Sequence, residues 1–133
     1  MIQAVLGGKS LGYEYTEDIL TSTIFGLLKY LRSDMVLIPF IESAFLYDKE
    51  RTTLWEKLNI EGIELRCYRE VEYIFWAWNQ NYGEPDLILI FRDHVHGLDD
   101  LLLVVEAKFK SGKSGIDEND QLARYFEAIN SDI

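Results

Sequence analysis

The chain has 133 residues, 48% of them hydrophobic and 14% aromatic, enough to bury one substantial core and too few for two ordinary domains. A formal net charge of −10 excludes a surface that gathers polyanions by bulk attraction, since that attraction comes from Lys and Arg. No apolar run approaches the roughly 20 residues that span a bilayer, the N-terminus lacks a secretory layout, and the single cysteine, Cys67, can form no intrachain disulfide; one cytoplasmic domain over 1–133, without a membrane partner and with a buried, inert thiol, is expected.

A first helix is marked at Thr16, which can cap it, while Glu17 and Asp18 suit the positive end of its dipole. Leu20, Ile24, Leu27, Leu28 and Leu31 follow at helical spacing, so this face is expected to pack on a sheet. Two shorter helical pieces are expected around Met35 to Leu46 and Leu54 to Leu58. Ile63 to Trp78, rich in β-branched and aromatic residues, reads as a long strand or hairpin arm. Its aromatic residues Tyr73, Phe75, Trp76 and Trp78 suit a core, or in part stacking on bases.

Gly83-Glu84-Pro85 marks a turn, and Asp86 to Phe91 follows as a nearly continuous apolar strand. Leu101 to Phe109 is a second such run, and the polar stretch from Arg92 to Asp100 between them suits a hairpin. Strands apolar throughout are usually covered on both faces, which predicts a central sheet with helices packed on it. Within the hairpin, His94 and His96 lack a third ligand in sequence reach and read as exposed turn residues. Asp117 can cap a last helix to Ile129, with Leu122, Tyr125, Phe126 and Ile129 on one face. The result is an α/β chain in the order α-β-β-β-α, a mixed central sheet flanked by helices, with no internal repeat and a glycine- and serine-rich break from Ser111 to Gly115. Gly-Lys-Ser occurs at Gly8 and Gly112, but Gln3 and Ala107 stand where a phosphate-binding loop needs its first glycine.

Chemistry enters at the second apolar strand. Residues two apart on a strand share a face, so Glu106 and Lys108 project together from a run that is otherwise apolar. Burying a charge is costly unless it is paired or bound to a metal. Should the hairpin make the two strands neighbours, Asp86 arrives beside Glu106, and two carboxylates and an ammonium converge at one end of the sheet. Such oxygen ligands suit Mg²⁺, and a cation there can activate water and offset charge growing on a phosphate. A surface ion pair between Glu106 and Lys108 is the plainer alternative.

Pro85-Asp86 followed by Glu106-Ala107-Lys108 resembles the signature of the PD-(D/E)xK nuclease superfamily, the restriction-endonuclease-like fold. Gln121 and Tyr125 reproduce the Q-x-x-x-Y spacing that accompanies that motif in its exonuclease-like branch, and the similarity runs from about Thr16 to Ile129. The resemblance implies a metal-dependent nuclease that hydrolyses phosphodiester bonds, with DNA the favoured substrate and Mg²⁺, or Mn²⁺ in its place, as cofactor. It assigns Asp86, Glu106 and the backbone carbonyl of Ala107 to the metal, and Lys108 to the attacking water or the transition-state charge. Glu17 matches an acidic residue near the metal, though acidic residues favour the first turn of any helix. Gln121 and Tyr125 would steady the site or contact substrate, while Tyr125 is also explained as core.

Lys110, Lys113 and Arg124 are candidate nucleic-acid contacts or ordinary solvated charges. The family core has a further strand after its last helix, and the chain reaches Ile133 before one forms. A fragment of a longer protein is one expectation; a homo-oligomer, or another domain or subunit completing the sheet, is the other. A nuclease-derived binding or assembly module without catalytic activity is the competing function, favoured by the acidic charge.

Overall fold

A computed structural model describes residues 6, 8, 16–46, 49–77, 83–95, 97–107 and 124–127, with the side chains of Thr16 and Glu17 outside that description. The described residues include three α-helices, a 3-10 turn and a three-stranded sheet that is antiparallel where a mixed one was expected, in a mixed α/β architecture; short connections between successive strands favour antiparallel pairing. Among the described residues no helix is long and apolar enough to cross a membrane. Contacts divide the chain into two compact units. The first comprises 1–26, 73–89 and 102–133; the second comprises 27–72 and 90–101.

Helix α1 spans Thr16–Leu28, so Thr16 is its first residue rather than a flanking cap. Its inward face differs from the expected one. Thr21, Ser22 and Phe25 are buried, whereas Leu20, Ile24 and Leu27 are exposed, and Leu31 lies exposed beyond the helix end. Positions 21, 22 and 25 form one stripe of the helix and 20, 24 and 27 another. Apolar periodicity identifies a stripe without saying which stripe meets the interior, because folded surfaces retain much apolar area. Burial of Thr21 has a cost, since its Oγ1 finds no hydrogen-bond partner among the described residues.

The two expected helical pieces form, as α2 over Leu37–Glu42 and α3 over Leu54–Ile60. Leu37, Ile38 and Ile41 bury one face of α2, each such side chain contributing about 2 kcal/mol of transfer free energy. Helix α3 buries no side chain and is defined by its ends. Thr53 and Glu56 form a reciprocal capping box at its start. At its end Gly62, at φ 71°, lets Gly62 N–H reach Asn59 C=O and Ile63 N–H reach Leu58 C=O, which satisfies the last carbonyls in a Schellman arrangement.

Where a long strand was expected over 63–78, the chain makes a 3-10 turn, Leu65–Cys67, and then a shorter strand β1, Glu70–Phe75. Strands β2, Leu87–Arg92, and β3, Leu101–Val105, complete a sheet of order β1-β2-β3. The hydrogen bonds that bracket β1 and β2, Arg69 N–H to Arg92 C=O and Trp76 N–H to Asp86 C=O, enclose one more residue on β1 (69 to 76) than on β2 (86 to 92). β1 therefore carries a bulge, and Trp76 at its end has φ 48°, in the left-handed region that bulky side chains avoid.

Coverage of the sheet on both faces is also corrected. Leu87, Leu89 and Phe91 of β2 are fully buried, while Ile88 and Ile90 between them are half-buried and Leu102 of β3 is exposed. Antiparallel sheets need only one packed face, so a continuous apolar run does not guarantee two. The β2–β3 hairpin forms as expected, and Asp93 organises it: Oδ1 accepts the Val95 N–H at 3.1 Å and Oδ2 the Leu98 N–H at 3.4 Å. Of the last helix, 124–127 are described, and they are helical. Tyr125 is buried there, but Phe126, expected on the same face, is exposed; consecutive helical residues diverge by about 100°, which leaves room for only one at the centre of a narrow stripe.

Candidate functional site

Within the first unit, the end of the sheet that carries Asp86 brings four candidate residues together, Asp86, Glu106, Ala107 and Tyr125. Pro85 and Asp86 are both buried at the entry to β2, with Asp86 9% exposed. Asp86 is held from two sides. On the β1 side its carbonyl accepts the Trp76 N–H at 3.3 Å. On the β3 side its carboxylate Oδ2 accepts the Ala107 N–H at 2.7 Å. Asp86 therefore lies against the segment Glu106-Ala107, as the hairpin argument requires.

Glu106 follows β3 directly and is half-buried. The Tyr125 hydroxyl donates to its Oε2 at 3.4 Å, a long hydrogen bond. Tyr125 is 5% exposed, so its ring is core while its hydroxyl reaches the carboxylate. Arg124, beside it, is half-buried, with Nε in the interior and no hydrogen-bond partner for that atom among the described residues.

The donor set can be compared with what cations require. Among the described residues no group of three or more His, Cys, Asp or Glu is placed to hold a metal, which does not suit a zinc-type cage of four protein ligands. Mg²⁺ makes a smaller demand, one or two carboxylates with water filling the remaining octahedral positions. Asp86 and Glu106 offer oxygen donors of that type. The bond from Ala107 N–H at 2.7 Å orients the Asp86 side chain.

Several candidates fall elsewhere. Lys108, Lys110, Lys113 and Gln121 lie outside the described residues, as does the side chain of Glu17, whose backbone forms the first turn of α1. His94 is exposed in the hairpin, 3.5 Å from Glu70; His96 lies outside the description. Cys67 is half-buried, its thiol donating to Glu64 at 3.6 Å. Burial, then the Glu64 charge, raises its pKa, which keeps it a poor nucleophile.

Trp76 is the residue that sequence reasoning missed. It was read as one aromatic among several, yet its backbone is the β1-side clamp on Asp86. A left-handed tryptophan leaves no mark in composition or periodicity. Asp93 was detectable in principle, as an Asp just after a strand in a turn-rich stretch.

No family model matches the chain, and no curated protein and no solved structure matches it either.

Proposed function

We propose that the protein is a metal-dependent nuclease of the PD-(D/E)xK type, with a restriction-endonuclease-like core, hydrolysing phosphodiester bonds in DNA. The observation that carries this reading is the Asp86 carboxylate docked on the Ala107 N–H, one residue from Glu106, which joins the two halves of the motif across β2 and β3. Asp86 and Glu106 would hold Mg²⁺ or Mn²⁺, with the Ala107 carbonyl as a further ligand. The bound cation would supply an activated water and a counter-charge for the scissile phosphate.

The remaining work falls to the chain's own groups. Ala107 N–H fixes the direction of the Asp86 carboxylate, and Tyr125 does the same for Glu106. Such preorganisation lets the site meet developing charge without rearranging. The ammonium of Lys108 would orient the water and take up charge on the phosphate oxygens. Glu17 and Gln121 would border the site, and Lys110, Lys113 and Arg124 would contact the phosphate backbone.

The test is cleavage of labelled single- and double-stranded DNA with Mg²⁺ or Mn²⁺, comparing the native chain with Asp86→Ala and Lys108→Ala. Metal-dependent cutting that disappears in both variants supports the nuclease. A second reading, a nuclease-derived binding or assembly module, is favoured by the net charge of −10; the absence of cutting together with undiminished DNA binding in Asp86→Ala supports that one.

A further inference from the structure

A cavity of about 700 Å³ opens within the second unit, its wall formed in part by Arg32, Arg66 and Arg69 with Ser33, Asp34 and Tyr68. The chain has six arginines, so half of them line one cavity of a protein whose charge is otherwise acidic. Its size falls within the roughly 300–1,000 Å³ of small-ligand pockets. None of the described residues of the carboxylate site, Asp86, Glu106, Ala107 and Tyr125, lines it.

The arginines are partly restrained and not saturated. Arg32 donates from Nε and Nη2 to the Asp34 carboxylate at 3.1 and 2.6 Å, which uses two of a guanidinium's five N–H donors. Arg66 reaches the Asp34 carbonyl at 3.5 Å and lies 3.8 Å from Glu42. Arg69 is fixed through its backbone, whose N–H donates to Arg92 C=O at 3.1 Å. Its guanidinium enters no ion pair among the described residues. Three planar cations with spare donors suit the oxygens of an oxyanion such as phosphate. Tyr68, set edge-on to Phe91 with centroids 6.1 Å apart, gives the same wall an aromatic member.

We propose that this cavity binds the phosphate of a nucleotide, either free or within a nucleic-acid strand. The anion site stands on three exposed arginines that line one cavity; the choice of a nucleotide as its bearer rests on the nuclease reading. Asp34 acts as a built-in competitor, because it occupies donors of Arg32 that an incoming phosphate would use. Binding is therefore expected to weaken with salt, as phosphate contacts do.

The experiment is done on the whole chain in EDTA, so that no cation is available to the carboxylate site. Calorimetry with 5′-AMP and fluorescence anisotropy with a short labelled single strand measure the two sources of phosphate. Arg69→Ala is expected to weaken binding about tenfold, and Asp34→Asn to strengthen it several-fold by releasing Arg32; circular dichroism checks that both variants fold. Binding of 5′-AMP supports a free-nucleotide pocket, and binding of the strand alone supports a contact with the polynucleotide backbone. Failure of both ligands to bind, or undiminished binding in both Arg69→Ala and Arg66→Ala, overturns the proposal. Metal-dependent cutting without such binding would remove the cavity and leave the nuclease; binding without cutting would do the reverse.

Discussion

The backbone N–H of Ala107 donates to the Asp86 carboxylate at 2.7 Å, so the residue that opens β2 is tied by its side chain to the main chain just beyond β3. The carboxylate is buried and directional, and the residue that orients it neighbours the second carboxylate, Glu106. A side chain fixed in this way has a structural role, and the chemical role proposed for it can be separated from that by substitution.

Asp86→Ala leaves the half-buried Ala107 N–H without this acceptor and is expected to lower stability by about 1–3 kcal/mol. Asp86→Asn retains an oxygen for the N–H and is expected to cost less than about 1 kcal/mol. Both lose the charge, so both should reduce metal-dependent cleavage by at least roughly a hundredfold. Urea denaturation and the cleavage assay measure the two effects; equal stability of the two variants would show that the bond contributes little.

Tyr125→Phe removes only the hydroxyl that reaches Glu106 at 3.4 Å, so its stability should change by less than about 1 kcal/mol. Its cleavage rate should fall several-fold if the hydroxyl steadies the carboxylate. Tyr125→Ala empties a nearly buried site and should cost about 3–5 kcal/mol. A Tyr125→Phe variant with native rates would reduce this residue to core packing.

Burial alone pushes the Tyr73 hydroxyl up to about 12 from the ordinary 10, and its oxygen has no hydrogen-bond partner among the described residues. Below pH 10 the phenol is neutral whether folded or unfolded, and stability does not depend on it. Between 10 and 12 the unfolded chain loses the proton while the folded one keeps it, so stability should fall as pH rises through that window. Tyr73→Phe should remove this component and be neutral or stabilising at pH 7. Denaturation midpoints of the two proteins from pH 8 to 12 provide the comparison, and parallel curves would count against the account.

Arg92 bridges Glu72 on β1 at 2.8 Å and Asp100, just before β3, at 2.6 Å. One side chain thus ties together the three strand segments at that end of the sheet. Its head group is partly exposed, so Arg92→Met should cost only about 1 kcal/mol at low salt, and the cost should shrink as salt is added. A loss that does not change with ionic strength would indicate packing by the arginine stem instead.

Much of the scaffold was legible because local rules govern it. The two short helical pieces expected around Met35 to Leu46 and Leu54 to Leu58 are present, and the structure shows them held by local devices, the Thr53-x-x-Glu56 box, the glycine at 62 and the buried stripe of Leu37, Ile38 and Ile41. The strands β2 and β3 and their hairpin were equally readable, since antiparallel pairing follows from a short connection, but β3 ends at Val105 rather than running on through Glu106 and Ala107, so Asp86 meets the chain just beyond the strand.

The errors lie where a choice between equally good local patterns depends on distant neighbours. Helix α1 offers two stripes, and the one that faces inward is the stripe of Thr21, Ser22 and Phe25 rather than the leucines. β2 is apolar on both faces, and only one is fully enclosed. By itself the sequence determined which residues could do chemistry and the order in which the chain presents them, because residue type and spacing are local properties. Only the tertiary structure decided that Ala107 holds the Asp86 carboxylate, that Trp76 takes a left-handed backbone to clamp the same residue, and that three arginines share one cavity, because each depends on segments far apart in the chain reaching the same place.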